Sequence, residues 1–186
     1  MLSFDFFQSA LPYEQFLGRF GSAGDRDRWD RTRKAVTLTD EQRALLGKFT
    51  RQTNVLVLAG AWCGDCAAQC PIFERFAEAA PALVVRYLDR DAHPLVQQEL
   101  RVNGGDRVPV AVFFSEDGYE VARYGERTLT AYRRMAGESA GEVCGSGVAV
   151  AGDPYLAGVV ADWLREFERV QWLLRLSPRL RRLHRD

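Results

Sequence analysis

The clearest pattern in the chain is an apolar run followed by a change of period. Val55–Leu58 opens the stretch Asn54–Pro71, and its β-branched and aliphatic residues, bounded by turn formers, predict a strand buried on both faces. After Cys63-Gly64-Asp65-Cys66 the spacing changes. Cys66, Cys70, Phe73, Ala77 and Ala80 recur at three and four residues, which predicts a helix. Upstream, Phe4, Phe7, Leu11, Phe16, Leu17 and Phe20 predict two short helices interrupted at Pro12, their aromatic stripe reading as core. Residues 21–34 alternate in charge and read as a solvated connection or helix anchored by Trp29. Thr39-Asp40-Glu41-Gln42 has the form of a capping box opening a helix through Leu45, Leu46 and Phe49.

Downstream, Leu83–Leu88 predicts a second strand, Asp89–Pro94 a turn, and Leu95–Val102 a short helix closed by Asn103-Gly104-Gly105-Asp106. Val110–Phe114 and Tyr119–Tyr124 flank Ser115-Glu116-Asp117-Gly118 as a β-hairpin, and Thr128–Ala136 follows as a helix. The order β-α-β-α-β-β-α places the chain in the α/β class. Gly137–Asp153 reads as a long loop. Pro154 then opens a helix to about Leu176, whose wide apolar face, Leu156 through Leu174, must be buried. The expected seat is the N-terminal helices, with a dimer contact as the alternative. The basic end, Ser177–Asp186, reads as a solvated terminus, with phosphate or lipid contact as the alternative. Residues 1–49 form an N-terminal helical extension, 50–137 the central domain, and 138–186 a loop and helical extension packed on the same domain.

Composition narrows the class. The 186 residues suit one domain with additions, and 47% apolar with 27% charged residues is ordinary for a globular core. A formal net charge of zero gives no reason to expect nucleic acid as a partner. No apolar run reaches membrane-spanning length, and Met1-Leu2-Ser3-Phe4-Asp5 lacks the basic start of a signal peptide. Four cysteines are too few for a disulfide scaffold, so a reducing, cytoplasmic location is expected, as monomer or homodimer.

The chemistry concentrates on Cys63 and Cys66. A Cys-x-x-Cys at a strand-to-helix junction is a thiol–disulfide signature. The first helical turn brings the two sulfurs within bonding distance, and the helix's unpaired N–H groups favour a thiolate at Cys63. Cys66, one turn in, is placed to resolve a mixed disulfide. A metal reading competes: Cys63-x2-Cys66-x3-Cys70-Pro71 matches the end of an iron–sulfur run, but the upstream cysteine is missing, with Gly60 at that place. Cys70 reads as a small buried hydrophobe, or as an auxiliary thiol acting with Cys144. His93 and His184 form no catalytic set with these residues, and His93 is expected to face solvent.

Trp62-Cys63-Gly64-Asp65-Cys66, Pro71, Val108-Pro109, Val110–Phe114, Asp117-Gly118 and Gly125 together resemble the thioredoxin family over residues 50–137. The resemblance implies a thioredoxin-like fold: a central mixed sheet of about four strands flanked by helices, here with extra N-terminal helices and a long C-terminal helix. It implies a cis bond before Pro109, packed against the cysteine pair, and a Val108 backbone that aligns an extended substrate. Trp62, Gly64 and Asp65 would shape the site. The implied activity is thiol–disulfide exchange on a disulfide-containing protein or small thiol, with a thiol reductase as electron donor and without metal or cofactor. A non-catalytic binding module is the alternative. Two departures stand out. Asp65 replaces the family's usual proline and is expected to oppose a Cys63 thiolate by like-charge repulsion. Val57 and Tyr87 replace the family's buried Asp and its companion Lys, so proton transfer must use another group, such as Asp65 or water.

Overall fold

The computed structural model describes residues 2–139 and 151–186. Four strands form one mixed sheet: β1 (Thr53–Ala59), β2 (Leu83–Asp89), β3 (Val110–Phe114) and β4 (Glu120–Gly125), in the order β2-β1-β3-β4. β1 runs parallel to β2 and antiparallel to β3, and β3 is antiparallel to β4. Every residue of β1 and β3 is buried, as the apolar runs Val55–Ala59 and Val110–Phe114 require of strands covered on both faces. The β3–β4 turn closes through the Ser115 N–H to the Tyr119 carbonyl at 2.8 Å.

The helices before the sheet are α1 (Asp5–Ser9), α2 (Tyr13–Phe20), α3 (Ala23–Ala35) and α4 (Asp40–Leu46). The charged stretch 21–34 is therefore a helix, and the expected anchor holds, because Trp29 is fully buried. The Thr39 capping box forms in both directions with Gln42. Between α1 and α2, Leu11 pairs with Tyr87 and covers the exposed edge of β2.

Helix α5 (Gly64–Ala79) follows β1 and has two opposite faces. Glu74 and Glu78 lie on the face toward α3, where Arg33 bridges to Glu78. Phe73 and Phe76 lie on the other face, toward α8 (Pro154–Arg175). Helices α6 (Pro94–Glu99) and α7 (Leu129–Ser139) follow β2 and β4. The loop expected over 137–153 lies mostly outside the described residues, although α7 itself continues through Ser139.

Two expectations about the C-terminal segment are corrected. The apolar face of α8 does not seat on the N-terminal helices. Phe167 packs edge-on against Phe76 and Phe113, and Trp163 packs edge-on against Phe73 and Tyr124, so α8 covers α5, β3 and β4. The physical reason is that β3 and α5 offer a continuous aromatic surface, whereas α1–α3 are already committed to β2 and the far side of α5. The basic end is likewise not a free tail. It forms α9 (Pro178–His184), capped by Ser177, with Leu180 fully buried. Arg179 pairs with Asp117, His184 Nε2 lies 2.6 Å from Glu116, and buried Arg51 meets Asp186 at 2.5 Å.

Candidate functional site

The site lies where β1 gives way to α5. Cys63 is the N-cap residue of α5 and Cys66 lies in its first turn. Among the described residues Cys63, Cys66 and Cys70 are free thiols, and all three are buried. Cys63 keeps 9% of its surface exposed, whereas Cys66 and Cys70 keep none. The three thiols follow one another along α5 at spacings of three and four residues, which makes neighbouring side chains adjacent. The Gly60 N–H also faces Cys66 Sγ at 3.5 Å.

The second wall is the loop before β3. The Val108–Pro109 peptide bond is cis, and the Val108 carbonyl lies 3.8 Å from Cys63 Sγ. Glycines keep this wall close. A Cβ on Gly125 would sit 2.6 Å from the Pro109 carbonyl oxygen, and one on Gly60 would sit 2.9 Å from the Trp62 ring.

Trp62 is the exposed lip of the site, with 46% of its surface open. The Arg90 guanidinium lies 4.6 Å from its ring centre, and its indole N–H donates to Asp91 at 3.2 Å. The loop beneath it is held from α3. The Trp29 indole N–H donates to the Ala61 carbonyl at 2.8 Å, and Arg28 donates to the Trp62 carbonyl at 2.9 Å.

Asp65 does not face Cys63 as an unpaired charge. Arg127 meets it in a two-pronged pair at 2.6 and 3.2 Å, which offsets the repulsion expected from the sequence. Arg127 also contacts Glu126, 2% exposed, whose carboxylate takes Arg107 at 2.7 Å and the Tyr132 hydroxyl at 2.8 Å. Buried Gln69 joins this group to α8, donating to the Glu126 carbonyl at 3.0 Å and accepting from the Trp163 indole at 3.0 Å.

The thiol acidities differ from the sequence-based expectation. Cys63 is raised above the ordinary thiol range, first by the hydrogen bond it shares with Cys66 and then by burial, while the N–H groups of Cys66 and Asp65 pull it down. Burial raises Cys66 as well. The helix N-terminus is thus present but outweighed. The protein in this state holds both groups as thiols at neutral pH, and attack requires a proton to leave first.

Of the residues expected at the site, Trp62, Cys63, Gly64, Asp65, Cys66, Val108 and Pro109 gather at one end of the sheet. Cys70 lies behind them. Cys144 falls outside the described residues. His93 is half-buried at the start of α6, its Nδ1 2.9 Å from the Asp89 carbonyl, rather than solvent-facing. Sequence reading missed Arg28, Arg127, Glu126, Gln69 and Trp163, whose partners lie up to 94 positions away and leave no local signal. Among the described residues no group of His, Cys, Asp and Glu is arranged to hold a metal ion, and no helix is long and apolar enough to cross a membrane.

The thioredoxin family profile matches residues 12–138, starting within the N-terminal helices. Two solved structures share the fold. A protein of unknown function from Pseudomonas aeruginosa is 18% identical with a TM-score of 0.71, over 91% of this chain and 99% of that one. An HIV epitope-scaffold is 17% identical with a TM-score of 0.63, over 88% of this chain and 96% of that one. At these identities they speak to fold alone. No curated protein matches the chain.

Proposed function

The chain belongs to the thioredoxin family, and from that premise we propose that it is a thiol–disulfide oxidoreductase whose working pair is Cys63 and Cys66. The observation that carries the reading is the placement of two free thiols at the N-cap and first turn of α5, with Cys63 Sγ 3.8 Å from the carbonyl of Val108, the residue joined by a cis bond to Pro109.

Cys63 is the better attacking group, because it alone of the three thiols reaches the surface. Its thiolate attacks one sulfur of a substrate disulfide R–S–S–R′, forms Cys63–S–S–R and expels R′–S⁻. Its charge is received by the N–H groups at the helix start. Cys66 then attacks Cys63 Sγ, expels R–S⁻ and leaves the Cys63–Cys66 disulfide. An external dithiol or thiol reductase returns the pair to its reduced form. The substrate is a disulfide-bearing protein segment, or a small disulfide, lying extended along the Val108 backbone with Trp62 as its lip. This direction of exchange suits a reducing compartment such as the cytoplasm.

The test is disulfide reduction with a dithiol as electron donor. Cys63→Ser abolishes turnover, and Cys66→Ser accumulates a covalent substrate adduct. Normal turnover by Cys66→Ser removes the dithiol mechanism. The burial of both thiols is the one observation on the side of a non-catalytic binding module. In that case wild type shows no exchange with any disulfide offered, while still retaining a partner.

A further inference from the structure

The resolving step poses a problem of proton balance. Cys66 begins as a thiol and ends in a disulfide, so it must lose a proton, yet it has no exposed surface. The strand before it, β1, offers no titratable group. The row of sulfurs, however, continues inward. Cys66, Cys70 and Glu74 follow one another at intervals of four along α5, so they form one stripe with neighbouring Cβ atoms about 6 Å apart. The one-turn spacing makes the Cys66 and Cys70 side chains neighbours.

The far end of this stripe is a half-buried polar cluster on the α3 side of α5. The Tyr87 hydroxyl donates to Glu74 Oε1 at 2.9 Å and lies 3.3 Å from the Cys70 carbonyl. Tyr13 packs its ring 5.8 Å from that of Tyr87, and its own hydroxyl is buried without a hydrogen-bond partner. Glu74, itself half-buried, thus has two buried phenols on its inner side and solvent within reach on the other.

Building on the exchange activity proposed above, we propose that Glu74 is the internal proton acceptor of the resolving step, reached from Cys66 through the Cys70 thiol. As Cys66 Sγ attacks, its electron pair forms the new bond to Cys63 Sγ, and the pair of the old bond leaves on R–S⁻. The Cys66 proton passes to Cys70 Sγ, Cys70 hands its own proton on, and Glu74 changes from carboxylate to carboxylic acid. Rereduction of the pair returns the proton by the same route. Glu74 touches neither reacting sulfur, so it positions and stores the proton rather than taking part in bond exchange.

Its acidity suits the task. Burial raises Glu74 to about 7, against the Tyr87 hydrogen bond and the Arg33 charge, which lower it, while Glu78 and Glu14 raise it. Tyr13, Tyr87 and Cys70 are the other titratable groups facing it, and burial raises all three. Glu74 therefore gains and loses its proton near neutrality, while its neighbours stay protonated.

The experiment uses dithiobis-nitrobenzoate, whose thiolate is coloured, on the reduced full chain in a Cys144→Ser background. The first equivalent of colour reports attack by Cys63, and the second reports resolution by Cys66. In the reference protein the second phase accelerates as pH rises through about 7. In Glu74→Gln that inflection disappears and the second phase slows roughly tenfold or more at pH 8, while the first phase is unchanged. Glu74→Asp restores the inflection in part. Cys70→Ala, which leaves Glu74 in place, shows the same loss as Glu74→Gln and serves if that variant fails to fold. A second phase of unaltered rate and pH dependence in either Glu74→Gln or Cys70→Ala overturns the proposal. Absence of the first phase in the reference protein instead overturns the exchange activity itself.

Discussion

Phe167 tests whether α8 is part of the core or an attachment to it. Its ring is 1% exposed and meets three others: Phe113 at 5.1 Å, Phe76 at 5.2 Å and Phe73 at 5.6 Å. Phe167→Ala removes a whole buried ring and leaves a cavity between α5, α8 and β3. Those neighbours are anchored in helix and strand and can collapse only in part, so the expected cost is about 3–5 kcal/mol. That is a large share of the roughly 5–15 kcal/mol by which a domain is stable. The assay is urea unfolding followed by circular dichroism, with the slope held against wild type so that a shift of midpoint reports stability. Leu173→Ala on the exposed side of the same helix is the control. Leu173 is 45% exposed, and its truncation should stay within about 0.5 kcal/mol. A Phe167→Ala loss below about 1 kcal/mol, or one equal to the control, would refute the seat assigned to α8.

Three further outcomes follow from the site. Alkylation of Cys63 by iodoacetamide should rise with pH and reach its midpoint above 9.0, the ordinary value from which burial and the Cys66 hydrogen bond raise it; a midpoint near 7 would show that the helix terminus prevails. For Glu74 the linkage has a definite sign. Its folded value, about 7, lies above its ordinary 4.5, so the folded state binds the proton more tightly. That contribution is complete below pH 4.5 and is lost as pH rises through 7, by about 3 kcal/mol in all. Glu74→Gln removes this slope, so parallel stability curves for wild type and variant between pH 4 and 8 would contradict it. Trp163→Phe keeps an aromatic ring, though a smaller one, but leaves the buried Gln69 oxygen without its donor, at about 1–3 kcal/mol; wild-type stability would mean the bond contributes nothing.

Much of the architecture could be read before any coordinates. β1 and β3 announce themselves as unbroken apolar runs because both faces are covered, and the Cys-x-x-Cys marks the junction where period two gives way to period 3.6. Thr39 and Gln42 mark a helix start because both halves of that bond lie within one turn. What escaped is what depends on distant partners. The face of α8 showed that it must be buried but not where, since an apolar stripe fits any apolar surface. Asp65 looked like a repulsive neighbour because Arg127, 62 positions on, carries no pattern linking the two. The thiol acidities depend on distant parts of the chain for a related reason: a helix terminus is visible in sequence, but the burial that opposes it belongs to the assembled core.

The two segments that read as extensions are supports of the site, for a reason rooted in backbone chemistry. A strand that breaks off into a helix start leaves carbonyls at the junction that belong to neither the ladder nor the helix. At Ala61 and Trp62 those carbonyls are taken by Trp29 and Arg28, both from α3. On the opposite flank the carbonyl of Glu126 is taken by Gln69, which Trp163 of α8 holds in turn. Glu126 steadies Arg127, and Arg127 offsets the charge of Asp65 beside Cys63. Deleting either extension would therefore remove the donor of a buried acceptor beside the site, the Ala61 carbonyl on one flank and the Gln69 oxygen on the other, each at about 1–3 kcal/mol. The central fold by itself does not complete this site; the helices on either side of it do.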